Sequence, residues 1–477
     1  MEDGAVITGN KAGFGGGVYL SPNCTFYMFG GSIDNNETLN ENGTVALSGG
    51  GLYAYHGGNF VMTGGVITKN NSGNGKGVCF DGTATSKGYF YLNGGKIIAN
   101  DAQTQSAGTG VFLYYSKFDM VNGEISGNNG SGSTMGGGVY CRNSTFNMWD
   151  GKISQNSNWF GGAVNVTADL KAGVAMNYDD AYQSIFNMYG GVIGGDTDED
   201  SNTGVMPGVC VGTMNNWAAQ GGTFNMYGGK ISHNKDLFDD GHMGGGVMSS
   251  NKGIVNLYNN SEISYNANAG GGGGVAAWDG KVIINDKVNI VNNSSSREGG
   301  GIFLYDNGIL EMNGGVISGN TSAGSGGAGI MILTNSSAYM NDGIISGNST
   351  SGSGGAVNNN KDGEFILNGG TIENNQASKN GGGVANYGKM SITGGNIQDN
   401  TASNRGGGIY LSNAGSAASL YKTSQLYLEN ATIKNNKASD GGGIYDNNNS
   451  DYSNITLANN SKAVFSGNKA STTSVAY

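Results

Sequence analysis

Residues 136–156 read GGGVYCRNSTFNMWDGKISQN, and variants of this stretch recur from one end of the 477-residue chain to the other. Each copy has a glycine run, a Phe-x-Met segment, a bend that contains glycine, and an Ile-x-x-Asn ending. A fixed repeat of this size is typical of one supersecondary unit stacked on copies of itself. The closing asparagines are Asn10, Asn36, Asn70, Asn100, Asn128, Asn156, Asn234, Asn266, Asn293, Asn320, Asn348, Asn375, Asn400, Asn436 and Asn468. We expect Asp196 to fill the one missing position.

Apolar and polar residues alternate over short runs within each copy, as in Val139-Tyr140-Cys141 and Phe146-Asn147-Met148. This period of two indicates β-strands, and no sustained period of 3.6 appears. Successive copies begin 25 to 28 residues apart at Gly299, Gly326, Gly354, Gly381 and Gly406. That length holds three strands of about 5 residues and three bends. The sequence therefore predicts an all-β fold, a single-stranded right-handed parallel β-helix of about 15 to 16 coils with three short strands per coil.

Stacked coils place equivalent residues over one another, so the repeat also predicts which side chains face inward. The predicted inward columns are Val18, Leu52, Val78, Val111, Val139 and Val164 in the first strand, Phe26, Phe60, Phe90, Phe118, Phe146, Phe186 and Phe224 in the second, and Ile33, Ile67, Ile97, Ile125, Ile153, Ile193 and Ile231 in the third. We expect the closing asparagines to form a hydrogen-bonded ladder, because an amide both donates and accepts. Asp196 would weaken this ladder, because a carboxylate cannot donate.

The repeat predicts one continuous domain over residues 1–477, with loop insertions around 161–244 where the spacing stretches to about 40 residues. Long loops on a rigid scaffold often carry function. The chain opens and closes in mid-pattern without the polar capping repeat that a solenoid needs, so we expect it to be a piece of a longer one. The inserted residues include Asp179-Asp180, 196–200, 215–217 and 236–242.

Composition excludes several classes of partner. The net charge is -11 and the basic residues are scattered, so nucleic acid is not an expected partner. No run of 18 apolar residues occurs, so we expect no membrane span in this segment. The four cysteines lie at different phases of the repeat, which favours inert thiols over a disulfide framework or a metal site. They are Cys24, Cys79, Cys141 and Cys210.

The glycine run followed by an aliphatic residue, together with endings such as Phe465-Ser466-Gly467-Asn468, resembles the repeats of the polymorphic outer membrane protein family. More broadly, the chain is similar to the large β-helical surface proteins and adhesins of bacteria. The likeness spans essentially the whole chain. It implies display at the cell surface or outside the cell, and adhesion to a surface glycan or to a host or neighbouring protein.

One outward column beside the second strand is aromatic, and the column next to it is rich in amides. Aromatic faces in a row could hold sugar rings, and amides could bind sugar hydroxyls. A self-stacking ladder that stabilises the outer surface explains the same residues, and both interpretations stay open at this point. The candidate ligand-binding residues are Trp149, Tyr189, Tyr227 and Tyr258 in the aromatic column and Asn147, Asn187, Asn225 and Asn256 in the amide column.

Asp196, Asp198 and Asp200 stand at alternate positions, like the start of a calcium-binding loop. Ser201 and Pro207 occupy the positions where an EF-hand loop has glycine and glutamate, so a solvated acidic loop is the competing interpretation. Calcium is the one cofactor that the sequence suggests. A second polar group, formed by His233, Asp236, Asp239, Asp240 and His242, lacks the His-Glu-x-x-His spacing and is expected to be loop surface.

Polysaccharide lyases and glycoside hydrolases also use parallel β-helices, so an enzyme is the main rival interpretation. The best catalytic constellation in the sequence combines Asp119 and Glu124 with Asp150 on the next coil. We favour a non-enzymatic extracellular stalk or adhesin, because a uniform repeat offers no single active centre. Self-assembly through exposed strand edges at the coil ends is a further expectation.

Overall fold

The computed structural model describes residues 1–44, 48–100, 107–130, 135–169, 183–213, 219–236, 238, 243–413, 424–447 and 453–471. The chain divides into two compact units, Met1–Phe238 with Gly245–Asn256, and Asp239–Gly244 with Leu257–Tyr477. In each unit, parallel strands stack as a β-solenoid, with about 15 turns in total. The predicted fold class is therefore confirmed.

Each turn of the first unit has three main strands, which we name first, second and third in chain order. The first strands are Val18–Leu20, Leu52–Tyr55, Val78–Asp81, Val111–Tyr114, Val139–Arg142, Val164–Asp169, Val209–Val211 and Val247–Ser250. The second strands are Thr25–Met28, Asn59–Met62, Thr145–Met148, Ile185–Met188, Thr223–Met226 and Ile254–Leu257, the last of which contains the unit boundary. The third strands are Val6–Thr8, Ser32–Asp34, Val66–Thr68, Lys152–Ser154, Val192–Gly194 and Lys230–Ser232. In Gly88–Ile98 and Ser116–Ser126 the second and third strands are continuous through the bend.

The second unit repeats this plan. Its first strands are Val275–Trp278, Ile302–Tyr305, Ile330–Ile332, Val357–Asn359, Val384–Asn386, Ile409–Leu411 and Ile444–Asp446. Its second strands are Lys281–Ile284, Glu364–Leu367, Lys389–Ile392, Gln425–Leu428 and Ile455–Leu457, and its third strands are Glu262–Ser264, Asn289–Val291, Thr371–Glu373, Asn396–Gln398, Thr432–Lys434 and Val464–Ser466. Ile309–Ser318 and Ser337–Ser346 run through the bend as continuous strands.

A two-residue strand follows the closing asparagine in many turns, which the repeat did not predict. The cause is backbone pairing just after that asparagine, as where the Glu37 amide donates to the Asn10 carbonyl over 2.9 Å. These short strands are Lys11–Ala12, Glu37–Thr38, Thr203–Gly204 and Lys235–Asp236 in the first unit, and Ala267–Asn268, Ser294–Ser295, Thr321–Ser322, Ser349–Thr350, Gln376–Ala377, Thr401–Ala402, Lys437–Ala438 and Lys469–Ala470 in the second.

The three predicted inward columns form the core of the first unit. Phe rings from Phe60 to Phe224 stack turn upon turn, with centroids 4.4 to 5.1 Å apart and planes within 13°. All members of the columns are buried except Val18 and Phe26, which are partly exposed. Each buried aromatic or aliphatic side chain contributes roughly 2 kcal/mol, so the free energy of folding comes mainly from stacking.

The closing asparagines form the predicted ladder, which we call the buried asparagine ladder. In the first unit each side-chain amide donates to the next side-chain oxygen over 2.8 to 3.1 Å, through Asn10, Asn36, Asn70, Asn100, Asn128, Asn156, Asn202 and Asn234. In the second unit the distances are 2.9 to 3.1 Å, through Asn266, Asn293, Asn320, Asn348, Asn375, Asn400, Asn436 and Asn468. Both ladders satisfy polar groups that would otherwise be buried without partners.

The prediction that Asp196 belongs to the ladder is wrong, because Asn202 takes that position. Asn202 accepts from the side chain of Asn156 over 3.1 Å and donates to Asn234 over 2.8 Å. Asp196 lies outside, with its side chain 90% exposed. A short 3₁₀ helix, Asp198–Asp200, lengthens this turn and moves the closing position towards the C-terminus. The ladder therefore has no carboxylate in the first unit.

The region around 161–244 contains an antiparallel pair of strands. Ala219–Gly221 pairs antiparallel with the end of Val164–Asp169, in a sheet whose other pairings are parallel. Asp169 is fixed there by the guanidinium of Arg142 and the amide of Asn143, each at 2.8 Å. The residues 179–180 and 215–217, which the sequence marked as inserted loops, lie outside the described residues. No helix in the described ranges is both long and apolar enough to cross a membrane.

Candidate functional site

Trp149, Tyr189 and Tyr227 follow the second strands of three successive turns and form what we call the aromatic stack. The ring centroids of Trp149 and Tyr189 lie 4.1 Å apart, and those of Tyr189 and Tyr227 lie 5.1 Å apart. Both pairs are inclined by only 12°. The residues lie in the bend just after the strand rather than within it. They are anchored by backbone hydrogen bonds, such as the one from the Tyr189 amide to the Met148 carbonyl over 2.8 Å.

The stacking covers ring faces that the sequence alone suggests as contact surfaces for sugar rings. Both faces of Tyr189 are covered, one by Trp149 and the other by Tyr227. Solvent therefore contacts the ring edges and hydroxyl groups along the stack, and at its Trp149 end no described aromatic residue stacks on the second face of the indole ring. Tyr258 belongs to the second unit and is half-buried.

A second ladder, the surface asparagine ladder, runs beside the aromatic stack. The amide of Asn187 donates to Asn147 over 2.8 Å, Asn225 donates to Asn187 over 2.9 Å, and Asn256 donates to Asn225 over 2.8 Å. An amide has two donors and two acceptor sites, so each interior member keeps one of each for a ligand. These amides are thus oriented in advance, which lowers the entropy cost of binding.

Asp119 ends the surface asparagine ladder. Its carboxylate accepts from Asn147 over 2.7 Å, from the Tyr89 hydroxyl over 2.9 Å and from the Lys117 ammonium over 2.8 Å. Partial burial alone would raise the pKa of Asp119, but hydrogen bonds from Lys117, Asn147 and Tyr89 lower it below its ordinary value. Burial and the contact with Asp119 raise the pKa of Tyr89 to about 12. Asp119 is therefore ionised at neutral pH and accepts hydrogen bonds at the end of the ladder.

The catalytic constellation suggested by the sequence has separate partners in the structure. Glu124 accepts from Lys96 over 2.7 Å and from the Ser126 hydroxyl over 2.6 Å. Burial opposes ionisation of Glu124, but the bonds from Lys96 and Ser126 lower its pKa. Asp150 is exposed and accepts from the Gly151 amide over 2.7 Å. A general acid at neutral pH needs a raised pKa, so the lowered pKa values of Asp119 and Glu124 do not favour that role.

The three carboxylates of the suggested calcium site each contact a different lysine. The pairs are Asp196 with Lys230 at 3.6 Å, Asp198 with Lys235 at 3.7 Å and Asp200 with Lys152 at 2.5 Å. The hydrogen bond from Lys152 lowers the pKa of Asp200. Within the described ranges, no group of three or more His, Cys, Asp or Glu side chains is arranged to hold a metal ion. The calcium site remains a hypothesis that this geometry does not favour.

His233 and the buried cysteines lie in environments that favour a structural role over a catalytic one. His233 contacts the Gly195 carbonyl through Nδ1 at 2.9 Å, while residues 239–242 lie outside the described residues. Three of the four cysteines are buried and unpaired, and burial raises the pKa of Cys141 and Cys210 to about 12. Thiols with such values stay protonated at neutral pH and react slowly.

Comparisons with protein-family models, curated proteins and solved structures find no match to this chain. Its function is therefore inferred from the geometry of its own residues.

Proposed function

We propose that this chain is a non-enzymatic binding protein of the adhesin type, displayed outside the cell or at its surface, with a glycan as the partner of the first unit. The observation that carries the proposal is the aromatic stack beside the surface asparagine ladder. Trp149, Tyr189 and Tyr227 are 50%, 39% and 41% exposed. A soluble protein that exposes three large aromatic side chains in one contiguous row commonly uses them for binding.

The scaffold makes this row rigid. Phe146, Phe186 and Phe224 are buried and stacked behind it, and their strands pair in register. The aromatic rings and the adjacent amides therefore keep fixed spacings close to the strand separation of about 4.8 Å. A ligand that binds such a surface immobilises few side chains. Little conformational entropy is therefore lost on binding, which favours affinity.

The combination of groups suits a carbohydrate. Sugars present both apolar C–H surfaces and hydroxyl groups, and this face offers aromatic carbon next to amides that can each donate and accept. The surface asparagine ladder ends in the ionised Asp119, which is a stronger acceptor than a neutral oxygen. A protein partner would use the same rings as anchors, and binding assays distinguish it from a glycan.

The proposal is tested on an immobilised glycan array with the parent chain and with the triple variant Trp149→Ala, Tyr189→Ala, Tyr227→Ala. The parent should bind a defined set of glycans and the variant should lose at least about tenfold in affinity, as expected when anchor residues are truncated. Asn341→Ala, at the equivalent bend of the second unit, is the matched control and should bind as the parent does.

Two results would contradict the proposal. Equal binding by the parent and the triple variant would remove the aromatic stack from the contact surface. New reducing ends or unsaturated products, released from the same glycans by the parent chain, would favour the rival interpretation as a polysaccharide lyase or glycoside hydrolase.

A further inference from the structure

The aromatic stack ends at Trp149, where no described aromatic residue covers the second face of the indole ring. Tyr189 covers the face of Trp149 towards the following turn, and the equivalent residue of the preceding turn is Val121. Valine is much shorter than tryptophan, so Val121 covers only part of the neighbouring Trp149 ring. We call this position, between Val121 and Trp149, the step. Its exposed fraction of 50% is the highest in the stack, compared with 39% for Tyr189.

Polar residues flank this step where other turns have glycine. The second residue after the Phe-x-Met segment, or its equivalent, is Gly30, Gly64, Gly94, Asn122, Asp150, Gly190 and Gly228 in the seven turns from Phe26 to Phe224. The two exceptions are Asn122, in the turn of Val121, and Asp150, in the turn of Trp149. Both side chains are exposed. The repeat therefore departs from its pattern on the two turns that meet at the open face of Trp149.

A shallow groove of about 510 Å³ lies on the two turns of Val121 and Trp149, and its lining includes Asn122, Gly123, Glu124 and Gly151. Gly123 and Gly151 have no side chain to fill the groove, and their positive φ values, 124° and 103°, disfavour any other residue at these positions. A Cβ atom at Gly151 would lie 2.7 Å from the backbone carbonyl oxygen of Gly123. No larger residue fits there without shifting the backbone, so the groove is built into the backbone.

The groove supplies donors and acceptors suited to hydroxyl groups. The Oδ1 atom of Asn122 accepts from the Gly123 amide over 2.7 Å, which directs the Nδ2 donors elsewhere. Glu124 is ionised and paired with Lys96 at 2.7 Å, whose ammonium has three donors. Asp150 adds a further carboxylate beside Trp149.

The charged residues that line the groove are paired, and the exposed Asp150 beside them adds one negative charge. Lys96 is paired with Glu124, and Lys152, which also lines the groove, is paired with Asp200. A ligand with net charge gains little from such a surface, whereas an uncharged ligand with several hydroxyl groups can bond to both members of a pair.

We propose that Trp149, Val121, Asn122 and Glu124 form a subsite for one terminal, uncharged pyranose ring of a glycan. The sugar ring takes the next position in the aromatic stack, with its C–H face on Trp149, and its hydroxyl groups bond to Asn122 and to the Glu124 carboxylate. This inference rests on the proposed function and identifies the end of the stack at which the glycan binds.

The four tryptophans of the chain give a direct readout, because only four indole N–H signals are expected in a ¹⁵N-correlated NMR spectrum. Trp149→Phe assigns the Trp149 signal. The probes are the methyl glycosides of glucose, galactose, mannose and N-acetylglucosamine at millimolar concentrations, where a single sugar making few contacts would bind. Methyl glucuronide is the charged comparison, and the Trp278 signal of the second unit is the internal control.

We expect at least one uncharged glycoside to shift the Trp149 signal and leave the Trp278 signal in place, with weaker binding of the glucuronide. Val121→Tyr extends the stack with the protein's own ring, so it should abolish the shift while the melting temperature is maintained. Asn122→Ala should weaken binding roughly fivefold, as for one neutral hydrogen bond. Asn341→Ala, at the equivalent bend of the second unit, should leave it unchanged.

The subsite is excluded if none of the uncharged glycosides shifts the Trp149 signal, or if Val121→Tyr binds them as tightly as the parent. Failure of the subsite is separable from failure of the proposed function. A Val121→Tyr chain that keeps the glycan-array binding lost by the triple alanine variant would overturn the subsite and retain the aromatic stack as the contact surface.

Discussion

The bend after the second strand has different side chains in the two units, although the backbone is built from the same repeat. In three successive turns of the first unit it has the stacked rings of Trp149, Tyr189 and Tyr227. In three successive turns of the second unit it has amides, followed by a hydroxyl group. Asn341 donates to Asn313 over 2.8 Å, Asn368 donates to Asn341 over 2.8 Å, and the Thr393 hydroxyl donates to Asn368 over 2.7 Å. Equivalent positions therefore accept either aromatic or amide columns.

This difference separates what the fold needs from what it tolerates. The buried asparagine ladder and the inward columns occur in both units, so they are requirements of the solenoid. Among the described residues, the stacked and exposed rings at these positions belong to the first unit, whereas Tyr258 at the start of the second unit is half-buried. The next turns of the second unit form the same bend with amides. A feature that folding does not require is a better candidate for function, and this is why we place the contact surface on the aromatic stack.

The largest expected effect comes from the feature that the two units share. Asn202→Ala in the first unit and Asn348→Ala in the second should each lower the free energy of unfolding by about 4 kcal/mol, because several buried donors and acceptors lose their partners. The loss is measured by urea unfolding monitored by circular dichroism. Similar losses in both units would confirm that the ladder is a common requirement.

Asp196→Ala is the matched control for Asn202→Ala, since the two residues lie in the same turn. Asp196 is exposed and its only described ion pair is long, so the change should stay within about 0.5 kcal/mol. A large loss for Asp196→Ala with a small one for Asn202→Ala would contradict the position of Asn202 in the ladder.

A smaller effect is expected when the aromatic column is converted into the amide column of the other unit. The triple variant Trp149→Asn, Tyr189→Asn, Tyr227→Asn loses two stacked pairs, which contribute about 1 kcal/mol each. The free energy of unfolding should therefore fall by about 2 kcal/mol, with the circular dichroism spectrum unchanged. A variant that fails to fold would show that the rings are structural requirements after all.

Lowering the pH should reveal how much Asp119 contributes to the stability of the folded chain. Its pKa in the folded chain is lower than its ordinary value of 3.8, so its contribution to stability is complete above about pH 4 and is lost as the pH falls through the folded value. Asp119→Asn should reduce the stability at pH 7 by about 1 kcal/mol and flatten the acid dependence of the melting temperature. An unchanged acid dependence in this variant would show that other carboxylates determine it.

The smallest effect is expected from calcium. Asp196, Asp198 and Asp200 contact different lysines, so calcium would have to break these ion pairs to collect the three carboxylates. Adding calcium or a chelator should move the melting temperature by less than about 1 °C. A clear rise with calcium, lost in Asp198→Asn, would restore the metal site suggested by the acidic sequence.

The repeat predicted the fold because one constraint acts on every turn. Positions such as Phe118, Ile125 and Asn128 must face inward in each copy, and their spacing reveals the three strands without further information. The spacing forward from Ile193 points to Asp196 instead of Asn202, because the inserted 3₁₀ helix Asp198–Asp200 lengthens this turn. Counting back from Val209, which begins the next first strand, locates Asn202. Asn156 and Asn70 stand a similar number of residues before Val164 and Val78, which begin their next first strands.

The candidate site was predictable as a set of columns but not as a geometry. Alternation along the second strand identified Asn147 and Trp149 as outward residues, and both are. Pairwise contacts depend on side-chain rotamers, which sequence does not fix, so the covered faces of Tyr189 and the link from Asn147 to Asp119 could not be foreseen. The departures from glycine at Asn122 and Asp150 were visible in the sequence, but their meaning depends on where the stack ends.

Glycan-array binding by the triple variant Trp149→Asn, Tyr189→Asn, Tyr227→Asn tests the central claim most directly, with its circular dichroism spectrum and melting temperature recorded on the same sample. We expect a folded chain, with the amide column of the second unit built into the first, that no longer binds the glycans bound by the parent. A folded variant that binds those glycans as tightly as the parent would contradict it.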